Sequence, residues 1–150
     1  MRVAIPASGE PGTPYVLVHG AANSSKVWTL WQQELAAVGS PSWAPDLRGH
    51  GDSPCSDLSE VSMADYEADV QSIIRQIGRP PVLVGWSMGG LVAMMVAASG
   101  VASACVTLAP SRGPRPWICS VNANLDGMEN RLLPGGAFSA PAMPIAGAGR

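Results

Sequence analysis

From Val82 to Ser111 the sequence carries no charged residue. No other feature restricts the fold as much, because a run of that length has to be buried in protein or in lipid. Its glycines decide between the two. Gly85, the pair Gly89-Gly90 and Ser99-Gly100 cut it into pieces of strand and helix length. Two buried elements joined by tight turns explain such a pattern better than a membrane span. Val82-Leu83-Val84 reads as a buried strand, the stretch from about Leu91 to Ser99 as a small-residue helix, and Ala104 to Leu108 as another strand.

The residues before this run continue the alternation. Tyr15-Val16-Leu17-Val18, opened by Pro14 and closed by His19-Gly20, has the short apolar β-rich signature of a fully buried strand. Ser24 or Ser25 then caps a helix whose apolar residues, Trp28, Trp31, Leu35 and Val38, fall on one face, and Gly39-Ser40-Pro41 ends it. Trp43 to Asp46 is a weaker strand, interrupted by Pro45, leading into the loop Leu47 to Pro54. Ser62 with Asp65 three residues on starts a second helix. Its stripe is Met63, Tyr66, Val70, Ile73, Ile74 and Ile77, and Gly78 stops it. Strands alternating with helices predict an α/β fold built on a mostly parallel sheet with flanking helices. The pattern dissolves after Pro110, so two regions are expected: 1–110 within the α/β domain, and 111–150 an irregular Pro/Gly/Ala-rich tail.

Composition removes several function classes. A net charge of −2 with no basic stripe argues against nucleic acid and anionic membrane partners. The three cysteines, Cys55, Cys105 and Cys119, form no CxxC pair or Cys/His cluster, so neither a metal site nor a disulfide frame is expected. The N-terminus has no apolar signal region, and with ordinary thiols this predicts a cytoplasmic protein.

The chemistry gathers at Gly85-Trp86-Ser87-Met88-Gly89, a G-x-S-x-G match that lies directly after a buried β-run and directly before a helix. Alone the match is weak; a plain strand–turn–helix junction would give it too. Its context favours a serine nucleophile on a sharp, strained turn, whose neighbours two positions either side must be small. Ser87 then stands at a helix N-terminus, where free N–H groups and the dipole favour developing negative charge. Acyl transfer needs two N–H donors aimed at the oxyanion. The amide of Met88 is one; the amide of Ala21, in His19-Gly20-Ala21-Ala22 after the first strand, is best placed for the other. His19 reads as structural rather than as a base.

These segments together resemble the α/β-hydrolase superfamily, in its serine esterase or lipase-like branch, over about Tyr15 to Pro110. The strand ending in His19-Gly20, with Ser25 and Trp28 downstream, is similar to the family's oxyanion-loop segment. Asp46-Leu47-Arg48-Gly49-His50-Gly51-Asp52-Ser53 is similar to its loop after the next strand, and Gly85 to Gly90 to its nucleophile elbow. Trp86 stands where members often have histidine. The resemblance implies Ser87 as catalytic nucleophile, Ala21 and Met88 as oxyanion donors, His50 as a brace for its loop, no cofactor, and a small-molecule acyl substrate.

The family's order is nucleophile, acid, histidine. Here both histidines, His19 and His50, precede Ser87, and Asp126, the sole aspartate after it, lies in the unpatterned segment and is not assigned as the acid. The expectation is therefore a truncated N-terminal part of such a hydrolase, weak or inactive in isolation. Two further expectations follow. One is self-association through an uncovered edge at the strand Ala104–Leu108. The other is the competing reading of a catalytically inactive remnant or binding module. An acyltransferase is a third possibility within the family. A dinucleotide-binding fold is disfavoured, since the first strand–helix turn lacks G-x-G-x-x-G.

Overall fold

A computed structural model describes residues 1–7 and 11–108; the expected tail 111–150, Cys119 and Asp126 lie outside them. The elements run β1 (Arg2–Ala4), β2 (Tyr15–Val18), a 3-10 turn (Ser25–Trp28), α1 (Thr29–Ala37), β3 (Ser42–Ala44), α2 (Met63–Ile77), β4 (Val82–Trp86), α3 (Met88–Ala98) and β5 (Ala104–Leu108). A second short 3-10 turn, Leu58–Glu60, precedes α2. The sheet order is β1-β3-β2-β4-β5. β3, β2, β4 and β5 are parallel and β1 is antiparallel to β3, which gives the expected α/β architecture with one reversed edge.

Both faces of the central strands are buried, and alternate residues feed different layers. Val16, Val18 and Leu83 point into a cluster with Tyr66, Val70 and Ile74 of α2 and Val92, Ala93 and Val96 of α3. Leu17 and Val84 point the other way, against Trp28, Ala44 and Leu35 beside α1. Each such fully buried Val or Leu contributes about 1.5–3 kcal/mol relative to exposure.

Four details depart from the sequence reading. β1 was not expected; it is a three-residue strand recruited by pairing with β3. The apolar face assigned to α1 is only half right. Trp28 is buried and Leu35 half-buried, but Trp31 and Val38 are exposed, while Gln32 is buried. Its amide donates to the carbonyls of Arg2 and Ser42, both at 3.3 Å, which removes the penalty of burying it. β3 ends at Ala44, before Pro45, rather than at Asp46. Finally, β4 continues through Gly85-Trp86 and α3 begins at Met88, so the expected six-residue turn contracts to Ser87 alone.

α2 matches its signals closely. Ser62 Oγ accepts from the Asp65 amide at 3.3 Å, and the Asp65 carboxylate accepts from the Ser62 amide at 2.9 Å. Gly78, at φ 76°, closes the other end. Ser62→Ala is expected to lower stability by about 1 kcal/mol. The check is a shifted urea midpoint at unchanged slope; a midpoint equal to wild type would mean that tertiary packing alone holds the helix start.

Candidate active site

The sheet order places Ser87 where such folds bind ligands. From β2 the chain moves to β3 on one side, then crosses back to β4 on the other, so strand order reverses between β2 and β4. The crevice beyond the carboxyl ends of those two strands is the switch point of an open α/β sheet. The segment after β2 is His19-Gly20-Ala21-Ala22, and the residue after β4 is Ser87.

Ser87 is the single residue between strand and helix, at φ 54° and ψ −122°. A non-glycine residue with positive φ costs about 1–3 kcal/mol and persists only when its surroundings over-determine it. The surroundings here are two glycines. A Cβ on Gly85 would run into the carbonyl of Gly89, and a Cβ on Gly89 would strike the carbonyls of Val18 and His19. The bare backbones of β4, α3 and β2 thus meet around the turn. The Ser87 amide is held by the carbonyl of Leu108 on β5 at 3.3 Å, and its carbonyl accepts from Gly90 at 2.9 Å.

The loop after β2 comes close. A Cβ on Gly20 would lie 3.0 Å from that of Ser87. Ala22 is the second strained residue, at φ 55°, and Asn23 Nδ2 donates to the Ala21 carbonyl at 3.2 Å. Among the described residues no loop or turn backbone hydrogen bond uses the amides of Ala21 or Met88. For Met88, at the first position of α3, an unused amide follows from helix geometry.

His19 is fully buried. Its Nδ1–H donates to the Gly20 carbonyl at 2.7 Å, and its Nε2 accepts from the Leu47 amide at 3.1 Å, so both ring nitrogens are occupied. Burial pushes its pKa below the ordinary 6.5 and nearby His50 adds to this, against the Gly20 hydrogen bond and the Asp46 charge. His19 is neutral near pH 7, as its acceptor role requires. Because the folded value is depressed, the unfolded chain takes up this proton first as pH falls past 6.5. Stability should therefore decline from pH 6.5 downward until the folded value is reached. Urea midpoints across that window should fall more steeply for wild type than for His19→Gln; equal slopes would contradict the assignment.

His50 stacks obliquely on His19, with ring centroids 5.2 Å apart, and its Nδ1 lies 3.1 Å from the carbonyl of Arg48. Its loop is tied to α2 by Arg48, whose guanidinium donates to both oxygens of Asp69, at 2.8 and 2.6 Å, and to Asp65 at 3.1 Å. Asp46, just before, accepts from the Ser25 amide at 2.7 Å. Burial pushes its carboxyl up, but the hydrogen bonds from Ser25 and the N-terminal ammonium outweigh this and hold it below the usual carboxylate range. Asp46 is a site-region residue whose contact the sequence reading missed; only its place in the loop motif pointed to it.

A cavity of about 350 Å³ lies elsewhere, lined by residues of β1 and α1 including Arg2, Thr29 and Gln32, and contains none of the residues around Ser87. Among the described residues no helix is long and apolar enough to cross a membrane, and no group of three or more His, Cys, Asp or Glu is arranged to hold a metal ion.

Residues 15–149 match the family model described as the alpha/beta hydrolase family. The chain belongs to that family. Its relatives include a probable protein phosphatase methylesterase 1 of Caenorhabditis elegans, 37 % identical over 91 residues, a match covering 57 % of this chain and 25 % of the worm protein. A pimeloyl-acyl-carrier-protein methyl ester esterase of Neisseria meningitidis is 36 % identical over 99 residues, covering 64 % and 30 % respectively. Among solved structures, the monoacylglycerol lipase of Paleococcus ferrophilus superposes with a TM-score of 0.60 at 28 % identity, over 71 % of this chain and 42 % of the lipase. The matched part of this alpha/beta hydrolase chain thus spans 25 to 42 % of the length of these relatives.

Proposed function

We propose that this chain carries the nucleophile and oxyanion donors of a serine esterase that cleaves a carboxylic ester of a small alcohol. The observation that supports this most is the single-residue turn at Ser87, strained at φ 54° and enclosed by glycines that no side chain can replace. The class of substrate is suggested by the two methylesterase relatives. In this reading Ser87 Oγ attacks the ester carbonyl carbon while a base takes its proton. The carbonyl electron pair moves to oxygen, where the amides of Ala21 and Met88 stabilise the charge. Collapse of the tetrahedral species expels the alcohol, which receives the proton, and water then releases the acid from the acyl-serine.

The base is the weak point. No histidine follows Ser87, and both nitrogens of His19 are already engaged. The engagement of both His19 nitrogens favours a second reading, a module that keeps the site without turnover. Turnover by these 150 residues is accordingly expected to be slow. A fluorophosphonate tests the nucleophile that both readings share, since its covalent capture needs the nucleophile but not the full cycle. Wild type should label and Ser87→Ala should not. Equal labelling of both would remove Ser87 from this role.

A further inference from the structure

The loop 19–25 holds the Ala21 amide and the strained Ala22, and it is fastened at both ends to one dipeptide, Asp46-Leu47, just beyond β3. At the front, the Leu47 amide donates to His19 Nε2 while His19 Nδ1–H turns back to the Gly20 carbonyl. At the rear, the Ser25 amide donates to Asp46 Oδ1 at 2.7 Å. These contacts are shielded from water: His19 and Leu47 are fully buried, Ser25 is 2 % exposed and the Asp46 side chain 4 %. The loop after β3 closes over the carboxylate, since a Cβ on Gly51 would run into Asp46 and lie 2.9 Å from Ser24 Cβ.

A short loop with a left-handed alanine keeps that conformation only if its ends are fixed. Both fixings come from the segment just after β3, a strand that contributes no residue to the nucleophile turn. We propose that Asp46 and His19 form a two-point clamp that sets the position of the Ala21 amide relative to Ser87. They are positioning residues: neither touches the reacting atoms. This inference rests on the reading of Ser87 and Ala21 as nucleophile and oxyanion donor. A donor displaced by about 1 Å loses on the order of 10²-fold in rate, comparable to removal of the donor itself, about 10²–10³-fold.

The full 150-residue chain is assayed for two properties, the rate of fluorophosphonate capture at Ser87 and hydrogen exchange over residues 19–27. Asp46→Ala is expected to slow capture by about 10- to 100-fold and to speed exchange in the loop, with α2 unchanged. Asp46→Asn keeps an oxygen that accepts from Ser25, so it should recover most of the capture rate. Ser25→Pro tests the same contact from the other side. It removes the donor amide at the first position of a helical turn, where proline is tolerated, and should slow capture like Asp46→Ala. Val70→Ala weakens the core on α2 and should label at the wild-type rate despite a lower melting temperature. The clamp is overturned if Asp46→Ala or Ser25→Pro labels like wild type, if Asp46→Asn is as slow as Asp46→Ala, or if Val70→Ala is slowed equally. Absence of labelling in wild type would instead sink the nucleophile reading. Loop exchange alone then decides the clamp, and unchanged protection in Asp46→Ala rejects it.

Discussion

Excess imidazole is expected to accelerate fluorophosphonate capture at Ser87 by about 10²-fold, towards the lower end of what a positioned general base supplies, and to leave Ser87→Ala unlabelled. The serine stands at the start of α3 with unused amides nearby, but both ring nitrogens of His19 are occupied, and no hydrogen bond among the described residues joins His50 to Ser87. A serine hydroxyl without a base is a poor nucleophile. Oxyanion donors alone retain about 10³–10⁴-fold over water in enzymes that have lost their triad. A small diffusible base would therefore add to a site already half assembled. In the attack on phosphorus the Ser87 oxygen forms the new bond, fluoride leaves, and imidazole carries off the proton. If imidazole changes nothing while the chain is folded, the binding-module reading gains and the esterase reading loses.

Gly89→Ala should abolish the folded state or cost at least about 3 kcal/mol, the upper end of ordinary overpacking. In a helix such a substitution normally favours folding by about 1 kcal/mol, so the sign itself is informative. The difference comes from what the methyl would meet, the fixed carbonyls of Val18 and His19 at the end of β2 rather than a movable side chain. Gly100→Ala provides the comparison. Gly100 has φ 74° and open space around its Cβ position, so only left-handed strain of about 1–2 kcal/mol applies. Set against a total stability of about 5–15 kcal/mol, the first change threatens the fold and the second does not. Denaturant midpoints of the two variants give the test. A Gly89→Ala chain as stable as Gly100→Ala would mean that strand and helix are not in contact at the turn.

Where local pattern and tertiary demand coincide, the sequence was readable. β2, β5 and α2 lie at the residues their apolar periods and caps indicate, because each is buried as its pattern requires. The small residues around Ser87 were legible for the same reason: a strained turn between packed elements admits nothing larger. β1 was not legible, since Arg2-Val3-Ala4 has no periodicity and becomes a strand only through β3. The buried face of α1 is not legible, because Gln32 is buried through two carbonyls that sequence spacing cannot bring together. α3 starts three residues before the expected Leu91, because Gly89 and Gly90 resemble turn residues until the close approach of β2 explains them. The ties His19–Leu47 and Ser25–Asp46 span 28 and 21 residues of sequence, and only the fold makes them neighbours.

The central claim is that Ser87 is the nucleophile, and tandem mass spectrometry of the phosphonylated chain tests it most directly. The account predicts a single adduct on Ser87, formed faster with imidazole and absent from Ser87→Ala. An adduct on another residue, such as Ser24, Ser25 or Ser53, or equal modification of wild type and Ser87→Ala, would contradict it.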